Sequence, residues 1–235
     1  MRDSQYKYLL LDVDDTLMDF KKIESEALQK LFEFYGHPLT LELLQTYHTV
    51  NSGLWENYER GEVAMGDMLN NRFGLTMSQF GIRIDSEEWE LRYQTLLGEG
   101  SHLIDDAKEV VTRLRGAYRL FVVTNGVRET QRRRLEGGGL YGLFEAVFDS
   151  QSIGFQKPAG EFFDYVAAHI DGFEKHRALI IGDSLATDIR GGIAAGIDTC
   201  WFNRNPEKSA ADLPVTYTIT KLTELYDILG VADEG

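Results

Sequence analysis

Tyr8-Leu9-Leu10-Leu11-Asp12-Val13-Asp14-Asp15-Thr16-Leu17 is the stretch whose reading decides the fold. The apolar run Tyr8 to Leu11 predicts a strand over Lys7 to Leu11. The two carboxylates after it stand at i and i+2, a spacing that in an extended chain points both to one side, at the carboxyl edge where open α/β sheets bind ligands. Like charges so close raise each other's pKa unless a cation or a shared proton relieves them. A divalent metal supplies that relief. Such a pair can run phosphoryl transfer through an aspartyl-phosphate, with one carboxylate as nucleophile and the other trading a proton with the leaving group and then with water. Taken alone, the same acids also fit a strand end whose Asp residues cap the following turn.

Further along, short apolar runs alternate with helical spacing. Tyr118 to Val123, Ala146 to Phe148, Ala178 to Ile181, Thr199 to Phe202 and the weaker Tyr217 to Ile219 read as strands, with Val127 to Leu135, Gly160 to Ile170 and Thr187 to Ala195 as helices. A βαβ series of this kind predicts an α/β fold, a doubly wound parallel sheet with helices on both faces. Residues 21–99 read differently, as helices over Ile23 to Tyr35, Leu41 to Tyr58, Ala64 to Phe73 and Ser86 to Leu97, with no convincing strand. They form an all-helical insertion of about 80 residues between the first two core strands, and residues 1–20 with 100–235 form the core. An insertion at this point is expected to act as a lid.

Composition narrows the function classes. A formal charge of -14 argues against nucleic-acid or anionic-membrane surfaces, which draw on clustered Lys and Arg. The one basic cluster, Arg132-Arg133-Arg134 after Arg128, reads as a solvated helix face. No run of about 18 apolar residues exists to span a bilayer, and the N-terminal residues do not resemble a signal peptide. The single Cys200 permits no internal disulfide, so a cytoplasmic setting is expected. The five histidines show no metal-ligand spacing.

Three more strand ends carry chemistry. Thr124-Asn125-Gly126 places a hydroxyl, an amide and backbone N–H groups at a helix start, a cradle for an anionic oxygen or, equally, an N-cap. Lys157, before Pro158, fits a phosphate clamp that offsets the acids, or a solvent-exposed lysine before a helix. Gly182-Asp183-Ser184 ends the fourth strand in another acid, with Asp188 five residues on. Asp183 can reach a metal held by Asp12, while Asp188 can bond a metal-bound water or hold Lys157 in place. No structural requirement produces acid pair, hydroxyl, lysine and acid at four strand ends in this order.

With Asp12-Val13-Asp14-Asp15-Thr16, Thr124, Lys157 and Gly182-Asp183 followed by Asp188, the chain resembles a haloacid dehalogenase superfamily phosphatase. The helical insertion has the position of that family's C1 cap. Val50 to Tyr58 with Gly61, Asp14 to Phe20 and Thr199 to Asn203 are similar to the branch of pyrimidine 5′-nucleotidases acting on unusual as well as ordinary pyrimidine monophosphates.

The resemblance and the charge pattern together imply Mg²⁺, or Mn²⁺ or another divalent cation, held by Asp12, the backbone carbonyl of Asp14 and Asp183, with Asp188 behind them. Asp12 is then the nucleophile and Asp14 the general acid and base. Thr124 and Lys157, with Asp15, Asn125 and Gly126 nearby, take the phosphate charge. Phe20, Asn51 and Trp55 are candidates for reading the rest of the substrate, with Arg72 a poorer one; Trp55 also fits a residue of the insertion's own core. The partner implied is a small phosphomonoester, and the chain a monomer or homodimer. The alternatives are a sugar-phosphate or phosphoglycolate phosphatase, a phosphomutase, and a non-enzymatic module switched by phosphorylation of Asp12.

Overall fold

The computed structural model describes residues 5–205, 209–210 and 212–231. Strand β1 (Tyr8–Leu11) leads into four long helices, α1 (Phe20–Phe34), α2 (Leu41–Glu59), α3 (Met65–Ser78) and α4 (Ser86–Glu99). The chain continues through α5 (Ala107–Leu114), β2 (Arg119–Thr124), α6 (Arg128–Gly137), β3 (Ala146–Asp149), α7 (Ser150–Ile153) and α8 (Gly160–His169). Strand β4 (Ala178–Gly182), one turn of π-helix (Leu185–Ile189), α9 (Arg190–Ala195), β5 (Asp198–Phe202), β6 (Tyr217–Ile219) and α10 (Leu225–Leu229) follow. The stretch between Gly100 and Tyr118, for which the reading above expects no element, contains α5. Its Ala107, Val110, Val111 and Leu114 are buried at helical spacing.

Two compact units result, one made of residues 1–20 and 101–235 and the other of residues 21–100. The first holds a six-stranded parallel sheet in the order β3-β2-β1-β4-β5-β6. Its centre is β1, whose residues Tyr8 to Leu11 are at most 1% exposed. A central strand covered on both faces has no wet side, which is why four apolar residues run unbroken. Leu10, Phe121 and Ile180 pack on one face against Phe162, Phe163 and Val166 of α8. Helix α9 approaches so closely that a Cβ on Gly192 would lie 2.6 Å from Ile180 Cγ2, so only glycine fits there.

The chain runs outward from β1 to β3 in one direction and from β4 to β6 in the other. The crevice beyond the carboxyl ends of β1 and β4 is therefore the expected ligand position of such a sheet. Asp12 sits at its lip, its N–H donating to Ile181 O at 3.0 Å, one residue past the last pair of the ladder.

After Asp12 the chain turns sharply. Leu17 and Met18 both donate to Val13 O at 2.9 Å, and Asp15, at φ 55°, donates to Met18 O at 2.8 Å. A short polar residue accepts that left-handed backbone at the least cost after glycine.

The second unit is all helical. Phe32, Tyr47, Phe73, Trp89 and Tyr93 form its aromatic centre, with Phe73 and Tyr93 edge to face at 5.1 Å between centroids. Arg72, 2% exposed, makes two bonds of 2.7 Å to the buried Glu90 and lies over the Tyr93 ring. Among the described residues no helix is long and apolar enough to cross a membrane.

Candidate active site

Four strand ends of the sheet converge through Lys157. Its Nζ donates to Asp12 Oδ1 at 2.7 Å, to Asp188 Oδ1 at 2.6 Å and to Val123 O at 2.9 Å, so all three of its hydrogens are spent. Lys157 is 1% exposed, which removes the solvent-exposed alternative. Burial alone would favour its neutral form, but Asp12 and Asp188 overcome this and raise its pKa above the usual lysine range. The Asn125 side chain fixes the lysine in place, accepting from Lys157 N at 2.8 Å and donating to Lys157 O at 2.9 Å. Both ends of that amide are thereby engaged by one backbone unit.

Asp12, Asp183 and Asp188 bring carboxylate oxygens within 4.8 Å of one another. Burial, reinforced by Asp188, Asp183 and Asp14, pushes Asp12 well above the usual carboxylate range against the pull of Lys157. Burial likewise raises Asp183 to about 7, with Asp188 and Asp15 adding to it. One lysine is insufficient for three acids, and hard oxygen donors crowded in this way fit a divalent cation of the Mg²⁺ type.

Local structure enforces the cluster. Asp188 lies in the π-turn, a rare element that recurs at functional sites, and its Oδ2 accepts from Ser184 N at 3.1 Å. A Cβ on Gly182 would fall 2.6 Å from Asp188 Cβ, so the residue before Asp183 must be glycine. Trp201 Nε1 donates to Asp183 O at 2.9 Å and anchors that strand end to β5.

Asp14 lies at the same carboxyl edge but is held apart from the three clustered acids. Gln131 Nε2 donates to Asp14 Oδ2 at 2.7 Å, and Arg134 Nη1 lies 2.6 Å from Asp14 Oδ1. The reading of Arg132-Arg133-Arg134 as a solvated face is thus corrected at one position. Arg132 and Arg133 pair with Glu129 on the outside, whereas Arg134 is 1% exposed, at 5.3 Å from the Phe20 ring centroid. The available signal was Leu135, whose apolar side chain marks the inward stripe that Gln131 and Arg134 share at i, i+3 and i+4.

Thr124, 1% exposed, is not the cap of α6, since Val127 holds that position. Its Oγ1 instead accepts from Gly126 N at 3.0 Å and from Gln131 Nε2 at 3.1 Å.

Of the remaining candidates, Phe20 belongs to the sheet unit, whereas Asn51 and Trp55 belong to the helical one. Asn51 is buried, its Oδ1 accepting from Arg72 Nη1 at 3.1 Å, and Trp55 is half-buried, edge to face with Tyr58. Arg72 has its charge met by the buried Glu90.

The model of the haloacid dehalogenase-like hydrolase family matches residues 6–196, and the chain belongs to that family. It is a hydrolase of the haloacid dehalogenase type, built on an α/β fold. Over 227 residues it is 42% identical to YfnB of Bacillus subtilis, covering 97% of each chain. A crystal structure of YfnB, bound to magnesium and revealing interdomain movement, superposes with a TM-score of 0.90 over 96% of this chain and 99% of that one. Pyrimidine 5′-nucleotidase PynA of Streptococcus pneumoniae is 34% identical over 95% of each chain. Pyrimidine 5′-nucleotidase YjjG of Escherichia coli is 29% identical, over 96% of this chain and 98% of its own.

Proposed function

We propose that this hydrolase is a divalent-metal-dependent phosphomonoesterase working through an aspartyl-phosphate, and that its substrates are pyrimidine nucleoside 5′-monophosphates. The observation that carries the phosphatase reading is Lys157, buried between Asp12 and Asp188 at the edge where Asp183 also arrives. A cation of the Mg²⁺ type, held by Asp12, Asp183 and the backbone carbonyl of Asp14 with Asp188 behind, would screen the incoming phosphate from the acids.

Asp12 attacks phosphorus in line. As the bond from phosphorus to the leaving oxygen breaks, Asp14 gives that oxygen its proton. The Thr124 hydroxyl donates to a non-bridging oxygen, where preorganised donors contribute most to rate, and Lys157, its hydrogens spent on Asp12, Asp188 and Val123 O, acts there through its positive charge. A water then bonds to phosphorus, passes its proton to Asp14, and the Asp12–phosphorus bond breaks to return the free carboxylate.

These residues engage only the group that all phosphomonoesters share. Choice among substrates therefore falls to other residues, for which Phe20, Asn51 and Trp55 are the candidates. The identities of 34% and 29% to two pyrimidine 5′-nucleotidases, each over nearly the whole chain, support the pyrimidine reading.

The test is kcat/KM for uridine, deoxyuridine, thymidine, adenosine and guanosine monophosphates and for sugar phosphates. Chelator-stripped protein is assayed with and without added Mg²⁺. Activity that requires the metal and ranks pyrimidine nucleotides first is expected; full activity without metal, or a preference for purine or sugar phosphates, overturns the corresponding half.

A further inference from the structure

Arg134 is a costly residue to bury: it is 1% exposed. A guanidinium carries five N–H donors, and burial without partners for them costs free energy that a methionine or leucine would not incur. Here Nη1 reaches Asp14 Oδ1 at 2.6 Å and Gln131 Oε1 at 3.3 Å. Among the described residues Nε and Nη2 have no hydrogen-bond partner. Replacing such a buried pair by apolar side chains is often neutral or stabilising, so the fold alone gives no reason for it.

What the arrangement does achieve is to meet both oxygens of one carboxylate, Oδ2 by a hydrogen bond from Gln131 and Oδ1, which has no hydrogen-bond partner among the described residues, by the charge of Arg134 in an ion pair. Oδ1 of Asp14 is buried against Arg134, while the side chain as a whole is 32% exposed. The accessible edge of the carboxylate is therefore the Oδ2 edge, where Gln131 Nε2 occupies one lone pair from 2.7 Å. Gln131 is held in turn, its Oε1 accepting from Arg134 and its Nε2 also reaching Thr124 Oγ1. Gln131 and Arg134 are i and i+3 on one rigid helix, α6, so the two prongs cannot move independently.

We propose that Gln131 and Arg134 are positioning residues that clamp Asp14 by its two oxygens and leave Oδ2 as the single atom through which its proton is traded. The inference rests on the reading of Asp14 as general acid and base. In the first half-reaction the proton leaves Oδ2 for the departing ester oxygen; in the second, Oδ2 takes a proton from the attacking water. Arg134 stays on Oδ1 in both, so the carboxyl cannot rotate to present the wrong oxygen between them.

The test uses the full-length, Mg²⁺-loaded enzyme and two substrates. A nucleoside monophosphate has a poor leaving group that needs the acid, whereas p-nitrophenyl phosphate releases its phenolate unaided but still needs the base to clear the aspartyl-phosphate. Arg134→Met is expected to lose about 10- to 100-fold in kcat on the nucleotide with KM within about twofold, the size of effect that misplacing a catalytic group brings. On p-nitrophenyl phosphate it should give a burst approaching one nitrophenolate per active site, followed by slow turnover.

Gln131→Met, which leaves the buried charge pair intact, should show the same pattern, and Arg134→Lys should partly restore the nucleotide rate. Wild-type kcat in both methionine variants, or equal slowing of the first and later turnovers with no burst, overturns the clamp. Asp14→Asn run alongside separates the two ideas. If it keeps wild-type rates, the reading of Asp14 itself fails; if it bursts and the clamp variants do not, only the clamp fails.

Discussion

Gly126 and Gln131 compete for one space: a Cβ on Gly126 would lie 2.8 Å from Gln131 Cδ and nearer still to its amide nitrogen. The glycine after Thr124-Asn125 is therefore required by a side chain five residues on, and Gly126→Ala must push Gln131 off Asp14 and Thr124. We expect turnover to fall about 10- to 100-fold. The unfolding free energy should drop by about 1–3 kcal/mol, the usual cost of overpacking. Steady-state kinetics and urea denaturation check the two halves; wild-type turnover would show that Gln131 has room to yield.

Asp12→Asn is expected to abolish turnover while leaving the fold intact, because an amide is a poor nucleophile and the change removes a charge from a crowded, buried cluster. The check is phosphate release together with circular dichroism and melting temperature. Retained turnover would remove Asp12 as nucleophile.

Lys157→Met leaves Asp12 and Asp188 buried without their cation. Breaking a buried ion pair on one side costs about 3–5 kcal/mol, so urea denaturation of the metal-free variant should show a loss of that order. Stability equal to wild type would mean that the acids find another partner.

The pH dependence of metal binding has a definite sign. Asp183 is raised from the ordinary range to about 7 in the metal-free protein. Between the two values the folded state holds a proton that the unfolded state has lost, so the acid costs stability as pH rises through that window. A divalent cation must displace this proton. The rise in melting temperature on adding Mg²⁺ should therefore grow from pH 5.5 to about 7.5 and then level off. Calorimetric scans across that range check it, and a shift independent of pH would exclude Asp183 from the metal's ligands.

Trp55→Ala should reorder the preference among nucleoside monophosphates while hydrolysis itself survives. Comparing kcat/KM for uridine and adenosine monophosphates in wild type and variant decides the point. A uniform loss would make Trp55 a packing residue of the helical unit, consistent with its edge-to-face contact with Tyr58.

Strands and acids were legible in the sequence because burial leaves an unmistakable pattern: Tyr8 to Leu11 is an unbroken apolar run followed directly by Asp12, and Ala178 to Ile181 one followed by Gly182 and then Asp183. Arg134 was harder to read. Three successive arginines point about 100° apart around a helix, and only Leu135 betrays which of them faces inward. The partners of Asp14 were beyond reach for another reason, since Gln131 lies 117 residues further along the chain and Arg134 three beyond that. Nor does a strand-end Asn announce that both ends of its amide will bracket one lysine, because the partner at Lys157 is 32 residues away.

The hydrogen bond from Asp12 N to Ile181 O has a consequence for how the protein fails on heating. An amide bonded onto the end of the central ladder is protected by the buried strands beneath it, so the Asp12 amide should exchange more slowly than those of exposed loops and helix ends. On heating, the nucleophile should accordingly keep its place longer than the helix-borne groups around it, so activity should be lost through those groups before the sheet itself opens.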